Sequence, residues 1–240
     1  MITVHADVVG SLLRPPELIL AQKQLAARSI GSSQFKEIED RAVDEAIALQ
    51  EAVGLEIVTD GEMRRQSFQS QMPAAVSGFG DFDLDAFLWG EWFDDDGVHR
   101  KPRPETLGAT RKLVRQRYLS VDEFLYLRRK TKRIPKITLP SPGLWANFWS
   151  AEHSRAAYPT LDSFLADVVE ILRDEVKELA RVGATYIQID APHYGLLLDP
   201  RTRVFYENLG WNLDQWLSFG IELDNALMAG FPKVTFGFHV

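Results

Sequence analysis

Residues 160–190 read TLDSFLADVVEILRDEVKELARVGATYIQID and combine a helix pattern with a strand pattern. Apolar side chains recur at helical spacing through the first part of the stretch: Leu161, Phe164, Leu165, Val168, Leu172, Val176 and Leu179. Thr160 precedes this stripe as a candidate N-cap, and Gly183 follows it as a candidate left-handed cap. Residues 186–190 then form a short apolar run that ends on a carboxylate. The stretch therefore predicts a helix followed by a buried strand.

The same order of amphipathic helix, glycine, apolar strand and polar strand end recurs along the chain. Residues 33–62 read SQFKEIEDRAVDEAIALQEAVGLEIVTDGE, and residues 212–240 read NLDQWLSFGIELDNALMAGFPKVTFGFHV. Two further strands are predicted, at residues 3–10 (TVHADVVG) and 134–140 (IPKITLP). These strands are separated by helices and are continuously apolar rather than alternating. They therefore predict an α/β fold whose parallel sheet is covered by helices on both faces.

Two local features depart from this repeated order or add detail to it. Ser120 and Glu123 have the spacing of a capping box at the start of the helix before residues 134–140. Residues 67–118 hold a crowd of aromatic side chains: Phe79, Phe82, Phe87, Trp89, Trp92 and Phe93. Within them, DDDG at residues 94–97 is typical of a hairpin turn. We expect residues 67–118 to form an inserted β-ribbon and loop.

The composition limits the class of protein. The 240 residues are 45% hydrophobic and carry a net charge of −7, which suits a globular chain of one large domain or two small ones. Interspersed charges with an acidic balance argue against nucleic acid as the main partner. No apolar run approaches the roughly 18 residues of a membrane helix. The absence of cysteine fits a cytoplasmic protein and removes the easiest way to hold zinc tightly.

Polar or glycine-rich groups end every predicted strand: Gly10-Ser11, Asp60-Gly61-Glu62, Pro140-Ser141-Pro142, Asp190-Ala191-Pro192-His193 and His239. In barrels and open parallel sheets alike, ligands bind at the carboxyl ends of the strands. Each group has an ordinary structural alternative, since Asp60 suits a turn, Asp190 suits a helix cap and His239 suits a core position. Their convergence on one edge nevertheless predicts a small-molecule site there.

Five segments resemble one known family: DVVGSLLRP at 7–15, IVTDGEMRR at 57–65, ITLPSPGLW at 137–145, YIQIDAP at 186–192 and FGFHV at 236–240. Their order and spacing are similar to the cobalamin-independent methionine synthase family, and more narrowly to short bacterial proteins that resemble its C-terminal catalytic domain. The resemblance implies a TIM (β/α)8-type barrel, of which residues 1–240 hold about the first five βα units as one domain. Residues 67–118 would then lie over the barrel mouth.

The resemblance also implies an activity and a set of binding residues. The family transfers a methyl group from a folate or another donor to a thiol such as homocysteine. Ser11 would contact the amino acid's carboxylate, while Glu62 and Asp190 would hold its ammonium and serve as the catalytic carboxylates. Two carboxylates satisfy the donors of one ammonium well in a site that excludes water.

Metal and donor contacts follow from the same resemblance. His239 corresponds to the histidine of an HxC motif that binds zinc, and zinc converts a thiol into the nucleophilic thiolate. A tryptophan near the third strand contacts the methyl donor in large members of the family, which makes Trp145 or Trp149 the candidate here. Two positions depart from the family pattern: Ala191 replaces a usual glutamate, and Val8 replaces a usual histidine or threonine.

The sequence stops at Val240, before the position of the family's ligand cysteine. One histidine cannot complete a four-coordinate zinc site, so we expect zinc only in a complete protein. Five strands would also leave an open barrel edge. Three explanations stay open: a chain cut after the fifth strand, a degenerate relative that has lost the metal, or a second copy that covers the edge as a homo-oligomer.

Other functions remain compatible with the same residues. A barrel hydrolase could use Glu62 and Asp190 as an acid/base pair, provided that the two carboxyl groups flank the scissile bond at a suitable separation. A non-catalytic relative could keep an amino-acid pocket or act through association alone. Binding of homocysteine or methionine without metal would favour the last alternative.

Overall fold

The structure, a computed structural model, describes residues 6–80, 107–208 and 210–240. Its helices are α1 (Pro16–Ala26), α2 (Ser32–Ala52), α3 (Gln71–Ala75), α4 (Val121–Lys130), α5 (Leu161–Arg181), α6 (His193–Leu196), α7 (Pro200–Asn208) and α8 (Leu213–Met228). Its strands are β1 (Ile57–Val58), β2 (Val76–Gly80), β3 (Gly108–Arg115), β4 (Ile134–Pro140), β5 (Tyr186–Asp190) and β6 (Thr235–His239). A 3-10 helix covers Pro142–Phe148. No helix within these ranges is long and apolar enough to cross a membrane.

The main sheet has four strands in the order β1-β4-β5-β6, and every neighbouring pair is parallel. Pro140 pairs with Asp190, and Asp190 pairs with His239, so the carboxyl ends of β4, β5 and β6 lie side by side. The predicted α/β fold with a parallel sheet is therefore confirmed. The pairing of β5 with β6 thus places two of the predicted site residues, Asp190 and His239, side by side.

Helix α5 contributes most clearly to the core that supports this sheet. Its start is fixed by a capping box between Thr160 and Ser163, and Gly183 beyond its end has φ +96°. Six apolar side chains of α5 are fully buried: Phe164, Leu165, Val168, Leu172, Val176 and Leu179. Full burial of such a side chain stabilises a fold by about 1.5–3 kcal/mol. The predicted helix and its caps are confirmed.

The N-terminal segment differs from the expected strand. The sequence predicts a strand over residues 3–10, yet residues 6–9 form no ladder with the sheet, and residues 1–5 lie outside the described ranges. Side chains take up the backbone carbonyls instead. Lys136 Nζ donates to Val8 O at 2.5 Å, Gln188 Nε2 donates to Val9 O at 2.6 Å, and Thr59 Oγ1 donates to Gly10 O at 2.9 Å.

The inserted region contains the expected ribbon in part. Strands β2 and β3 pair antiparallel. Phe79 on β2 packs against the Trp145 ring at a centroid distance of 6.1 Å. The predicted DDDG turn falls within residues 81–106, which lie outside the described ranges. A position of the insertion over a barrel mouth therefore stays a prediction.

The predicted capping box at α4 does not form. Ser120 is the N-cap residue, but its side chain makes no capping hydrogen bond. Ser120 Oγ accepts a bond from Arg65 at 3.3 Å, and Glu123 accepts another from Arg65 at 3.0 Å. Both side chains turn to Arg65 because a buried guanidinium needs acceptors for its donors, while Glu175 accepts from the backbone N–H groups of Leu119 and Ser120 at the helix start.

Candidate functional site

The carboxyl ends of the parallel strands carry two buried carboxylates. The residues that follow β1 place Glu62 at this edge with 2% of its surface exposed, and β5 ends on Asp190 with 5% exposed. Aspartate and glutamate are seldom buried to this degree without partners. The partners of these two side chains therefore define the candidate site.

The carboxylate of Glu62 is held by two hydroxyl groups. Ser11 Oγ donates to Glu62 Oε2, and Thr138 Oγ1 donates to Glu62 Oε1 at 2.5 Å. Gly10 lies so close that a Cβ there would stand 2.6 Å from Glu62 Oε1. The glycine before Ser11 is thus required for space, and Ser11 and Glu62 lie together at one edge as the sequence predicts, although the bond between them was not predicted.

The backbone of Glu62 is held in an uncommon conformation. Its φ is +53°, in the left-handed region that non-glycine residues rarely adopt. The Glu62 N–H donates to Asp60 Oδ1 at 2.9 Å, and Arg14 donates to Glu62 O at 3.2 Å. These two bonds fix the turn that directs the carboxylate toward Ser11.

Arg65 lies behind Glu62 and has no predicted role in the sequence. It is 2% exposed and donates to Glu123 Oε2 at 3.0 Å and to Thr138 Oγ1 at 2.9 Å, while its Nη1 lies 3.4 Å from Glu62 Oε1. Burial works to lower the pKa of Arg65, but the charges of Glu123, Glu62 and Asp60 outweigh burial and raise it. The guanidinium is therefore a permanent cation of this region.

The acidic groups around Arg65 outnumber it. Burial raises the pKa of Glu123 to about 7, against the lowering effect of the neighbouring Arg65 charge. Burial also raises the pKa of Asp60, whose Oδ2 is buried without a hydrogen-bond partner among the described residues. One guanidinium cannot balance three buried carboxylates, so part of this cluster retains its protons toward neutral pH.

Asp190 has neutral or partly exposed neighbours instead. Gln188 Nε2 donates to Asp190 Oδ1 at 2.7 Å, and His239 Nδ1 lies 3.2 Å from the same oxygen. Burial raises the pKa of Asp190, and the nearby negative charge of Glu62 raises it further. The structure thus brings Asp190 together with His239 and places Asp190 within the electrostatic reach of Glu62.

His239 is the only predicted zinc ligand of this sequence. Its side chain is 39% exposed, with Nδ1 turned to Asp190. The sequence contains no cysteine, and the described residues contain no cluster of three or more His, Cys, Asp or Glu side chains able to hold a metal ion. A protein zinc site needs about four ligands. The described donor set therefore does not fit zinc by itself, and zinc stays a prediction.

Trp145 and Trp149 lie in the hydrophobic core. Trp145 is fully buried and packs against Phe148 at a centroid distance of 4.8 Å. Trp149 donates its Nε1–H to Tyr158 O at 3.1 Å. Both side chains therefore pack in the core beneath the segment that follows β4. Their contact with a methyl donor stays a prediction.

A second buried polar group lies under the same edge. Asp224 on α8 accepts hydrogen bonds from Ser141 Oγ at 2.7 Å and from Tyr194 OH at 2.8 Å. His193 is fully buried, neither of its nitrogens has a partner among the described residues, and burial lowers its pKa to about 3. The sequence places His193 at the strand end, but the structure turns the neutral ring into the core.

Sequence reasoning missed the side chains that contact the two carboxylates or bond to those contacts: Arg65, Glu123, Thr138, Lys136 and Gln188. One signal was available for part of this set. Lys136 and Thr138 are polar residues two positions apart in an otherwise apolar strand, and such alternation indicates one shared face of a sheet. Arg65 carries no comparable signal, because it lies in a turn that reads as solvent-exposed.

A parallel sheet with helices on its faces and buried carboxylates at the strand ends is the arrangement of α/β barrel-type proteins that bind small molecules at this edge. The chain is 31% identical to the methionine synthase of Pyrococcus abyssi over 187 residues, which cover 78% of this chain and 51% of that protein. No family model matches the sequence.

Two solved structures share the fold. A protein of Listeria monocytogenes assigned as a vitamin-B12-independent methionine synthase superposes with a TM-score of 0.73 at 18% identity, over 99% of this chain and 65% of that one. A B12-independent methionine synthase of Shewanella sp. W3-18-1, solved in complex with selenomethionine, has a TM-score of 0.63 at 21% identity, over 88% of this chain and 53% of that one.

These similarities confirm the resemblance to the cobalamin-independent methionine synthase family. The chain is a relative of these synthases and shares the fold of their catalytic barrel. The match covers 51% of the Pyrococcus abyssi synthase, so the chain spans about half the length of that relative. The roles of Ser11, Glu62, Asp190 and His239 in binding or catalysis remain proposals.

Proposed function

We propose that this chain belongs to a methionine-synthase-like methyltransferase and that its described residues bind the amino-acid head group of a homocysteine-like thiol acceptor. The observation that carries the proposal is the convergence of Ser11, Glu62 and Asp190 at one edge of a parallel sheet. Similarity to proteins named methionine synthase supports the same reaction class. The methyl donor, a folate or another methylated compound, belongs to the same proposal, as does a cytoplasmic location.

The hydrogen bonds of Glu62 support one position for a ligand's ammonium. Thr138 Oγ1 and Arg65 both approach Oε1, whereas Ser11 is the one donor to Oε2 among the described residues. A carboxylate oxygen can accept about two hydrogen bonds. Glu62 Oε2 therefore has capacity for one ammonium donor beside Ser11.

Asp190 offers the complementary position. Its Oδ1 is taken by Gln188 and faces His239, and no hydrogen bond to its Oδ2 is recorded within the described residues. An ammonium between Glu62 and Asp190 would receive charge-assisted bonds from both carboxylates, and burial strengthens such bonds. The ammonium would also supply the positive charge that Asp190 lacks. The amino acid's carboxylate would then lie toward the Ser11 segment.

Methyl transfer needs a thiolate, because the thiol form is a poor nucleophile. In the family this requirement is met by zinc, but the described residues of this chain provide one imidazole toward such a site. The proposal therefore assigns these residues the binding and orientation of the acceptor. Orientation alone lowers the barrier of a bimolecular transfer substantially when the reacting atoms are held in line.

Isothermal titration calorimetry with L-homocysteine and L-methionine tests the proposal. Asp190→Asn should weaken binding of both about 10- to 100-fold, because a hydrogen bond to a charged group contributes about 1.5–3 kcal/mol. Asp167→Asn is the matched control, since Asp167 lies on α5 and its partners are Lys112 and Tyr158. Equal affinities of wild type and Asp190→Asn, or no binding of either amino acid to the wild type, would overturn the proposal.

A further inference from the structure

Lys136 is a fully buried lysine on β4 whose three N–H donors are all used. Its Nζ donates to Asp7 Oδ2 at 2.8 Å, to Val8 O at 2.5 Å and to Gln188 Oε1 at 2.8 Å. A buried ammonium is costly unless every donor is satisfied, so these three contacts constrain one another. The first two contacts lie in the N-terminal segment that leads to Ser11.

Lys136 also decides which way the amide of Gln188 points. An ammonium has donors and no acceptor, so the oxygen of the Gln188 amide must face it. The NH2 group then faces the opposite side, where it donates to Val9 O at 2.6 Å and to Asp190 Oδ1 at 2.7 Å. If the amide were flipped, its NH2 group would face the ammonium of Lys136, and its oxygen would face the two acceptors Val9 O and Asp190 Oδ1. None of the three contacts could then be a hydrogen bond.

From this arrangement we infer that Lys136 and Gln188 are positioning residues of the candidate site, which together hold the Ser11 segment and the Asp190 carboxylate in one fixed relation. The inference rests on the proposed function and deepens it, because it names what sets the spacing between the two ends of an amino-acid ligand. Neither side chain needs to touch the ligand for this role.

Lys136 and Gln188 could instead serve only to hold strands β4 and β5 together. The strand pairing argues against this purely structural role. Strands β4 and β5 are joined by a ladder in which Lys136 pairs with Tyr186 and Thr138 pairs with Gln188. That ladder is made by backbone groups and survives changes of these side chains. Residues 6–9 have no ladder, so the side-chain bonds to Asp7, Val8 and Val9 are what attach this segment to the strands.

Gln188→Glu is the sharpest test of this arrangement. A glutamate keeps an acceptor for Lys136 and gains an ion pair with it, which favours folding. Its second oxygen would face Val9 O and Asp190 Oδ1, where two donors are lost and acceptors meet. Lys136→Met is the second variant, since it removes the cation that fixes the amide. Lys112→Met serves as the control, because Lys112 makes a partly exposed pair with Asp167.

Amide hydrogen exchange of the full chain, read by mass spectrometry without ligand, measures the attachment directly. Exchange in peptides covering residues 6–14 should rise at least about tenfold in both variants, because Lys136→Met removes two hydrogen bonds of the segment and Gln188→Glu replaces the bond to Val9 O by two opposed acceptors. Peptides of α5 should match wild type in both, and Lys112→Met should leave residues 6–14 unchanged. Unchanged exchange of residues 6–14 in Gln188→Glu would overturn the inference.

A pair of ligands then tests positioning for binding. L-methionine carries an ammonium, and 4-(methylthio)butanoate is the same molecule without it. Gln188→Glu should weaken binding of L-methionine at least about tenfold more than that of 4-(methylthio)butanoate, because both compounds lose the fixed Ser11 segment and only L-methionine also loses the oriented Asp190 carboxylate. Equal losses for both compounds would show a general structural defect and contradict the positioning role. Absence of L-methionine binding to wild type would overturn the proposed function, while the exchange experiment decides the attachment by itself.

Discussion

The two carboxylates at the strand ends are buried alike but stand in opposite electrostatic surroundings. Glu62 lies 3.4 Å from the buried guanidinium of Arg65 and accepts hydrogen bonds from two hydroxyl groups. Asp190 accepts from the neutral amide of Gln188 and faces the partly exposed imidazole of His239. Within the described part of the chain, Glu62 has a fixed cation beside it and Asp190 does not.

This difference indicates which carboxylate depends on a ligand. Burial raises the pKa of Asp190, so its ionised form is unfavourable while no cation is near. A ligand ammonium would supply that cation, and it would gain most from the carboxylate that is least satisfied beforehand. Glu62 then serves to orient the ammonium, and Asp190 serves to attract it.

Removal of the Arg65 guanidinium should have the largest effect on the free energy of unfolding. Arg65→Leu would leave Glu62, Glu123 and Asp60 buried with no guanidinium among them, and we expect a loss of about 3–5 kcal/mol in the free energy of unfolding. Urea denaturation at pH 7 measures it. Arg181→Ala, which breaks the pair between Glu178 and the exposed Arg181, should leave the free energy of unfolding nearly unchanged. If Arg65→Leu changed the free energy of unfolding as little as Arg181→Ala does, Arg65 would not be the cation that balances the charge of Glu62.

The pH dependence of stability should reveal the excess of acids around Arg65. Burial raises the pKa of Glu123 from 4.5 to about 7, so between these values the folded state holds a proton that the unfolded state releases. The free energy of unfolding should therefore fall as the pH rises from about 4.5 to about 7, through the contribution of Glu123. Denaturant titrations across this range should show a flatter profile for Glu123→Gln.

Glu178→Gln provides the comparison for that measurement. Glu178 lies at the surface of α5, and its hydrogen bond with the exposed Arg181 lowers its pKa. Its contribution to stability is present above its unfolded pKa and is lost as the pH falls through the lowered value, which is the opposite direction from Glu123. A slope that persists in Glu123→Gln between pH 4.5 and 7 would assign the excess proton to another group, such as Asp60.

The smallest change in stability should follow substitution of Asp190, the carboxylate without a fixed cation beside it. Asp190→Asn removes a buried charge that has no fixed cation, so the free energy of unfolding at pH 7 should stay within about 1 kcal/mol of wild type or rise. Thermal and urea denaturation of the unliganded protein measure it. A destabilisation above about 2 kcal/mol would show that Asp190 already has a charged partner, and the contrast with Glu62 would disappear.

The sequence was sufficient for the parallel sheet, because helix stripes such as that of α5 and short apolar strands are local patterns. It also located Glu62 and Asp190 near the strand ends, since strand ends follow from the strands, while their roles in binding stay proposals. Helix α5 and its Thr160 cap agree with the prediction for the same reason. These features depend on residues close together in the chain.

The features that could not be read from the sequence depend on contacts between distant residues. Ser120 and Glu123 have the spacing of a capping box, but a buried arginine more than 50 positions away redirects both side chains: the separations are 55 and 58 residues. The expected strand at residues 3–10 is replaced at 6–9 by bonds from Lys136 and Gln188, 128 and 179 positions along the chain. Local propensity carries no information about such partners.

The left-handed backbone at Glu62 has a consequence for any attempt to make this protein more robust. Glycine or asparagine adopts φ +53° more readily than glutamate does, which makes position 62 a natural target for gains of about 1 kcal/mol. Either replacement would delete the carboxylate that Ser11 and Thr138 hold. Screens that select for thermal tolerance alone would therefore tend to discard the site, so such variants should be counter-screened for ligand affinity.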